Sequence, residues 1–351
     1  MKRFLIWSLA TIACLCVFVV VLGAVLDTST RPVPEATPGY TTFNLQTTHR
    51  DVPLPVTIWY PTATQAAPTL LGQNALFHGH YAQVDAAPLN GPLPVVLLSH
   101  GSGGNAVRLG WLASQLAMLG FIVASVDHPG TTSGDSDPFQ TIKIWEQPAD
   151  LSAVLDTLAE NAPLELEPDM SLVAVLGFSL GGQTALALSG VRYSKDKFIA
   201  YCDANADLYD CGWMQAAGVD FTQIDQAAYE AAHFDPRIKV SVAVDPEGGR
   251  AITDTASLLT NSMLINLGAS GSIPEAMRAD DLAAASGTAY LTVPNSTDFS
   301  FLAECSTLGE IVMWIAGEEP ICTDVNGCDR SSVHSELVGE IGGFLVGALK
   351  D

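Results

Sequence analysis

The stretch that decides the fold is Gly177-Phe-Ser-Leu-Gly-Gly182, which directly follows the apolar run Ser171–Leu176. An apolar run of this length predicts a buried strand, and the Ala- and Leu-rich residues after the stretch predict a helix. A glycine two residues before Ser179 and another two residues after it suit a tight, strained turn, because a side chain at either place would collide with the strand or the helix. Such a strand–turn–helix unit exposes the serine hydroxyl at the end of a sheet. Ser179 is therefore the predicted nucleophile.

A second glycine-rich turn, His100-Gly-Ser-Gly-Gly-Asn105, follows the apolar strand Pro94–Ser99. A turn of this type can offer a backbone N–H to the oxyanion that forms when a serine attacks a carbonyl, and the residue after the nucleophile offers another. These donors are the N–H groups of Ser102 and Leu180. We expect His100 to pack in the turn rather than act as a base, because it lies on the oxyanion side of the site.

Short apolar strands alternate with helices along the chain, which predicts an α/β fold with a mainly parallel central sheet and helices on both faces. An antiparallel pair, Thr41–Thr47 and Val52–Tyr60, opens the domain, and Gln65–Pro92 is predicted to be loop-rich. Residues 190–237 break the alternation and are expected to form a lid-like insertion after the elbow helix, which is the helix that directly follows Ser179. The other predicted strands are Val95–Ser99, Phe121–Val126, Leu172–Gly177, Ile238–Val244, Met263–Leu267 and Ala289–Val293, and the predicted helices lie near Ala106–Leu119, Ile144–Leu158, Gly182–Leu188 and Ser332–Leu349.

The composition excludes some classes of partner. With 38 acidic against 15 basic residues, the net charge is −23, and binding to nucleic acid or to an anionic membrane surface would need Lys/Arg patches that the chain lacks. Residues 41–351 are long enough for one large domain with its own core. A small molecule is the expected ligand.

The N-terminus carries a targeting signal. Lys2-Arg3 precede a nearly unbroken apolar run, Phe4–Leu26, which is longer than the core of a cleaved signal peptide and long enough to span a bilayer. We expect residues 1–30 to tether an exported domain to the membrane, and a cleaved signal peptide is the alternative. The proline-rich residues 31–40 form the linker.

Cysteine usage agrees with an exported domain, on the periplasmic or extracellular side. Cys202 and Cys211 flank a polar loop and predict a local disulfide, and Cys305 is expected to pair with Cys322 or Cys328. The cysteine spacings fit no zinc pattern, and His78-Gly-His80 has no third ligand, so the sequence predicts no metal and no other cofactor.

The acid that orients a catalytic histidine must follow a strand. Strand Ile238–Val244 ends directly in Asp245, whereas strand Met263–Leu267 is followed by no acid until Glu275. Asp245 is the predicted acid, and Glu247 is the reserve candidate.

Six motifs together resemble a known family. The similarity runs from about Thr42 to Leu349, so it covers nearly the whole exported part. The chain is similar to the bacterial predicted dienelactone hydrolase group of the α/β-hydrolase superfamily, which is itself similar to platelet-activating-factor acetylhydrolase. The resemblance implies hydrolysis of carboxylic esters with short or lipid-like acyl groups, and it implies an acid at Asp245. In order, the motifs are Leu93-Pro-Val-Val-Leu-Leu-Ser-His-Gly-Ser-Gly-Gly104, Val126-Asp-His-Pro-Gly130, Trp145-Glu-Gln-Pro-Ala-Asp150, Gly177-Phe-Ser-Leu-Gly-Gly182, Asp235-Pro-Arg-Ile-Lys239 and Phe299-Ser-Phe-Leu-Ala303.

The chain departs from this family at the general base. The loop after the last strand reads Pro294-Asn-Ser-Thr-Asp-Phe-Ser-Phe-Leu302, so Asp298 occupies the place of the family histidine. A carboxylate, with a solution pKa of about 4, takes a proton from serine less readily than imidazole does. His334 is the histidine downstream of the last strand, and it is a candidate for a displaced base, although the resemblance gives it a structural role. His128 lies at the catalytic edge and is a candidate pocket residue.

Two functions therefore remain open. One is a serine hydrolase acting on carboxylic esters through Ser179 with an atypical or displaced base. The other is an inactive hydrolase fold that binds an ester-like or lipid ligand.

Overall fold

The structure is a computed structural model. It describes residues 12–23, 32–205, 209–254, 258, 261–317, 320–325 and 328–350. Residues 12–23 are helical with exposed side chains, whereas the rest of the predicted anchor, residues 1–11 and 24–30, lies outside the described residues. Within the described ranges, no helix is both long and apolar enough to cross a bilayer.

The strands follow the predicted order. The described strands are β1 (Gly39–Leu45), β2 (Leu54–Tyr60), β3 (Thr69–Leu71), β4 (His80–Val84), β5 (Leu93–Ser99), β6 (Ile122–Val126), β7 (Thr131–Thr132), β8 (Asp135–Ser136), β9 (Pro168–Phe178), β10 (Arg192–Tyr193), β11 (Ile238–Val244), β12 (Ile252–Asp254), β13 (Ser262–Leu267) and β14 (Ala289–Val293). Ten of them form one sheet in the order β14-β13-β11-β9-β5-β6-β2-β1-β4-β3. The six strands from β14 to β6 are mutually parallel, and β2 is antiparallel to both β6 and β1.

Helices cover both faces of the sheet. They are α1 (Gly110–Met118), α2 (Pro138–Thr141), α3 (Glu146–Asn161), α4 (Leu180–Leu188), α5 (Lys195–Ala204), α6 (Tyr209–Ala216), α7 (Gln226–Tyr229), α8 (Asp280–Ser286), α9 (Thr307–Ala316) and α10 (Arg330–Leu349). Alternate side chains of a strand point to opposite faces. In β5, Val96 and Leu98 accordingly pack in the core that includes residues of α1 and α10, whereas Val95 and Leu97 pack in the core that includes residues of α3 and α4. The α/β-hydrolase architecture predicted from the sequence is confirmed.

The sheet brings three loops together at one edge. Ser99 of β5 pairs with Gly177 of β9, and Phe178 pairs with Val244 of β11. The chain runs from β5 to β6 on one side and later returns to β9 on the other side, so the order of strands reverses between β5 and β9. Ligands of open α/β sheets bind outside the carboxyl ends of the strands at such a reversal.

The region after the elbow helix is built from short helices. Residues 190–237 contain β10 and helices α5, α6 and α7, and the Cys202–Cys211 disulfide joins α5 to α6. A second disulfide, Cys305–Cys322, closes the segment that contains α9. Both predicted pairs are present, and Cys322 rather than Cys328 is the partner of Cys305.

Candidate active site

Ser179 sits on a strained turn between β9 and α4. Its backbone angles, φ 57° and ψ −117°, lie in a region that residues other than glycine rarely adopt. A Cβ at Gly177 would lie 1.9 Å from the carbonyl oxygen of Gly181, and a Cβ at Gly181 would lie 2.2 Å from that of Ser99. The two glycines therefore permit the close approach of strand and helix, as their spacing predicts.

The hydroxyl of Ser179 has a carboxylate partner. Ser179 Oγ donates a hydrogen bond to Glu247 Oε1. The backbone N–H of Glu247 in turn donates to the carbonyl oxygen of Ser179, with a separation of 3.2 Å. Two contacts therefore hold Glu247 beside the serine, although the sequence marked this residue only as the reserve acid.

Asp245 lies under the same turn and is fully buried. Its φ of 42° is also positive. Its Oδ1 accepts hydrogen bonds from Asn266 Nδ2 at 2.8 Å and from the N–H of Leu267 at 3.0 Å. Among the residues that the structure describes, no donor reaches its buried Oδ2. Burial, reinforced by the charge of Asp298, raises the pKa of Asp245 to about 7.

Asp298 begins the short 3₁₀ turn Asp298–Phe301 after β14, on the edge of the sheet that carries Asp245. Burial raises the pKa of its carboxyl. In the described part of the chain its side chain makes no hydrogen bond to Ser179, whose hydroxyl is bonded to Glu247 instead. The structure thus places Asp298 close enough to act electrostatically on Asp245 but leaves the contact with the serine to a different residue.

The glycine-rich turn after β5 lies directly against the serine. A Cβ at Gly101 would be 2.9 Å from the Cβ of Ser179. The N–H groups of Gly103 and Gly104 stabilise the turn by donating to the carbonyl oxygens of Thr131 and Gly101, at 2.8 and 2.9 Å. Leu180 is the first residue of α4, and the N–H at that position has no acceptor within the helix. The turn at Gly101 and the first residue of α4 therefore both adjoin Ser179, and the oxyanion role of the Ser102 and Leu180 N–H groups stays a prediction.

A family model described as the alpha/beta hydrolase family matches residues 95–324, which is more than half of the chain. The chain belongs to the α/β-hydrolase family. Among solved structures, it is similar to a ferulic acid esterase from Streptomyces cinnamoneus, with a TM-score of 0.61, 19% identity and 92% of each chain covered. It is also similar to fungal esterases from Rhizomucor miehei, with a TM-score of 0.47, 13% identity, and 93% of this chain and 88% of that chain covered. No curated protein sequence matches the chain significantly.

This hydrolase contains a hydrogen-bonded Ser–His–Asp series, and Ser179 is not part of it. His128 Nε2 lies 3.0 Å from Ser99 Oγ, and His128 Nδ1 lies 2.8 Å from Asp150 Oδ2. All three residues have no exposed surface, so no substrate can reach the serine. His128 is therefore not placed as a pocket residue. The backbone N–H of His128 donates to His100 Nε2 at 3.2 Å, and this bond connects the series to the glycine-rich turn.

The two remaining histidines near the site are held by packing and by carbonyl groups. His100 Nδ1 lies 2.8 Å from the carbonyl oxygen of Gly101, and burial lowers the pKa of His100 to about 3. His334 stacks on Trp111 with ring centroids 3.6 Å apart, and its Nε2 lies 3.1 Å from the carbonyl oxygens of Ser300 and Leu302. Burial lowers the pKa of His334 to about 4. These contacts favour structural roles for both rings, as expected for His100 and as the resemblance implies for His334.

A pocket opens beside Glu247, between the elbow helix and the short helices of residues 190–237. Its volume is about 490 Å³, counting the open mouth. Apolar and aromatic side chains dominate its wall, and Leu180 and Glu247 form the part of the wall nearest to Ser179. The wall includes Ile142, Ile144, Phe198, Met214 and Tyr229. A lining of this kind suits the apolar part of a small ligand.

Proposed function

We propose that this α/β-hydrolase is a serine hydrolase acting on carboxylic esters. The observation that carries the proposal is the geometry of Ser179, whose hydroxyl stands on a strained elbow against the glycine-rich turn. Strained turns persist where the surrounding structure over-determines them, and they cluster at active sites. The hydroxyl therefore has a nucleophile's position.

The chemistry follows from the groups around the serine. Ser179 Oγ attacks the ester carbonyl carbon, and the electron pair of the C=O bond moves onto its oxygen. The N–H groups of Ser102 and Leu180 stabilise that oxyanion. Such stabilisation is typically the largest electrostatic contribution to the rate of acyl transfer. Collapse of the tetrahedral intermediate expels the alcohol and leaves an acyl group on Ser179, which water then removes. Asp298 stands where the resembled family has its histidine, so the site relies on carboxylates for proton transfer.

The pocket indicates the type of ester. Its apolar wall would hold a short acyl chain, the end of a lipid-like chain or an aromatic ring such as the one in the substrate named for the Streptomyces esterase. The two disulfides suit an oxidising compartment, which supports export of the domain. Tethering through the N-terminal apolar segment is part of the same proposal.

The carboxylates favour a second candidate function. Asp245 and Asp298 repel each other in their ionised forms and lack the imidazole that activates serine in most relatives of this fold. A protein that keeps the pocket and only binds an ester-like or lipid ligand would tolerate that arrangement. Reactivity of the serine separates the two functions.

The test is covalent labelling of the full-length protein with a fluorophosphonate, combined with hydrolysis of p-nitrophenyl acetate. Wild-type protein should be labelled and active. Ser179→Ala should not be labelled and should lose at least about 10³-fold in kcat, because the residue that forms the acyl-enzyme is gone. The control is Ser335→Ala, whose exposed hydroxyl lies on α10, and it should behave as wild type. An unlabelled, inactive wild type would support the binding function.

A further inference from the structure

We propose that Glu247 is a catalytic residue of this site and takes the proton from Ser179. The inference rests on the proposed function, because it assigns a base to the reaction that Ser179 would perform. Among the described residues, Glu247 is the titratable side chain that hydrogen-bonds the serine hydroxyl. Neither the six family motifs nor the usual order of a triad along the chain (serine, acid, histidine) predicts a base at position 247.

The backbone fixes Glu247 in place. The N–H of Glu247 donates to the carbonyl oxygen of Ser179, and Gly248 follows with a φ of 73°. A Cβ at Gly182 would lie 3.0 Å from the Cα of Pro246, so the segment before Glu247 packs closely against the elbow helix. A general base needs hydrogen-bond contact with the proton it abstracts, and this geometry provides the contact before substrate binds.

The other candidate bases have different partners. His128 is fully buried between Ser99 and Asp150, and His334 is stacked on Trp111. Asp245 has one carboxylate oxygen bonded to Asn266 and Leu267, and its raised pKa keeps it largely protonated below neutral pH. Glu247 is therefore the candidate base that contacts the reacting oxygen, Ser179 Oγ.

The proton can be followed through both halves of the reaction. As Ser179 Oγ bonds to the carbonyl carbon, its proton passes to Glu247 Oε1 and forms a carboxylic acid. That acid protonates the leaving alkoxide when the C–O bond breaks, and Glu247 returns to its ionised form. Water then attacks the acyl-enzyme, gives a proton to Glu247, and releases the carboxylic acid product, while Glu247 returns the proton to Ser179 Oγ. No external oxidant, metal or co-reactant is needed.

Several charged or polar groups share the surroundings of Glu247. The carboxyls of Asp245 and Asp298 lie at the strand ends on one side. On the pocket side, Arg250 is ion-paired with Glu275 at a distance of 3.2 Å. The remaining polar side chains of the pocket wall are Thr141, Gln183, Tyr201 and Tyr229. A carboxylate base stays ionised at pH values where a free imidazole, with a pKa of about 6.5, is protonated, so activity should persist into mildly acidic solution.

The decisive variant is Glu247→Gln, which keeps the shape of the side chain and cannot accept the proton. We expect kcat for p-nitrophenyl acetate to fall about 100-fold or more, the usual contribution of general-base assistance, with KM changed by less than about threefold. The matched control is Glu310→Gln on the exposed face of α9, which should retain wild-type kcat. Wild-type kcat in folded Glu247→Gln, together with an inactive Ser179→Ala, would overturn the role of Glu247 and leave the serine hydrolase intact.

The pH profile gives a second readout, taken in Asp245→Asn because Asp245 has a pKa of about 7 and titrates in the same range. Between pH 7.5 and pH 5.5 we expect kcat/KM of this variant to change by less than about threefold, because an ordinary glutamate carboxylate, with a pKa of about 4.3, is ionised over this range. A tenfold fall per pH unit below about pH 6.5 in this variant would identify an imidazole as the base and overturn the proposal. A wild type that is neither active nor labelled would remove the proposed function itself.

Discussion

At Ser179 and Asp245 the backbone has a positive φ in a residue that is not glycine, 57° and 42°. Each such residue costs about 1–3 kcal/mol and persists only where neighbouring contacts enforce it. The two strained residues lie on adjacent strand ends, β9 and β11, and the N–H of Ser179 donates to the carbonyl oxygen of Val244, the residue before Asp245. Contacts of this kind hold the two strained residues in place.

The unpartnered Oδ2 of Asp245 leads to a prediction for Asp298→His. We expect an imidazole at position 298 to donate to that oxygen and to face Ser179 with its other nitrogen. Rates of p-nitrophenyl acetate hydrolysis at pH 8 should then rise by about 10–100-fold, below the full range for general-base catalysis because a carboxylate base is already present. The rate of the variant should fall below about pH 6.5 as the imidazole becomes protonated.

The same assay applied to His334→Ala tests whether the base lies at position 298 or is His334. If the ring of His334 only packs on Trp111, the variant should lose stability while the folded protein keeps its kcat. No gain from Asp298→His, together with loss of activity in His334→Ala, would make His334 the base.

At the residue scale, the strained turn at Ser179 could be predicted from sequence because its signal is local. Strand, glycine spacing and helix all lie within a dozen residues, and each restricts the same turn. The contact with Glu247 could not be predicted, because it depends on how residues 245–248 return over the elbow helix. The sequence signal that came nearest to this contact was the acidic character of Glu247, two positions after Asp245.

At the scale of elements, the packing of β5 against the start of α4 controls the site. The strand end at Ser99 touches Gly181 on the elbow helix, and the next residues of that strand end form the glycine-rich turn. Any side chain at position 181 must push the helix and the turn apart. We therefore expect stability and the proposed reactivity of Ser179 to be coupled at this contact.

We expect Gly181→Ala to show that coupling. A methyl group 2.2 Å from the carbonyl oxygen of Ser99 should destabilise the fold by about 1–3 kcal/mol and slow fluorophosphonate labelling of Ser179. The matched control is Gly343→Ala in α10, where a Cβ meets nothing within 4 Å and helix propensity favours alanine. Equal melting temperatures and equal labelling rates for the two variants would contradict this account.

The central strands β5, β6, β9, β11 and β13 were predictable because they are apolar on both faces. β11 has the predicted bounds, as does the edge strand β14, and the other four differ from prediction by one to four residues at an end. The region Gln65–Pro92 was predicted as loop-rich, yet it contains the edge strands β3 and β4. Short strands with mixed exposure carry little periodicity, so the pairing of β4 with β1 and of β3 with β4, rather than local pattern, determines them.

At the scale of the whole molecule, two buried aspartates have pKa values shifted in opposite directions. Burial alone would raise the pKa of Asp150, but hydrogen bonds from His128, His49 and Arg50 outweigh it and hold that pKa well below its usual range. Asp150 therefore adds stability above about pH 4, and this contribution is lost as the solution becomes more acidic. Burial raises the pKa of Asp245 to about 7, so the contribution of this group to stability changes with pH in the opposite direction.

The reversed sign gives a prediction for the pH dependence of unfolding. Between the unfolded pKa of about 4 and the folded value of about 7, the unfolded state releases the Asp245 proton while the folded state keeps it. Stability from this group is thus full below about pH 4 and declines as the pH rises to 7, by roughly 1 kcal/mol per pH unit. Denaturant titrations from pH 4.5 to 7.5 should show a flatter decline in Asp245→Asn than in wild type, since the variant has no proton to lose. The exposed Asp51→Asn should keep the wild-type slope, and parallel curves for wild type and Asp245→Asn would mean that Asp245 is already ionised in the folded protein at pH 5.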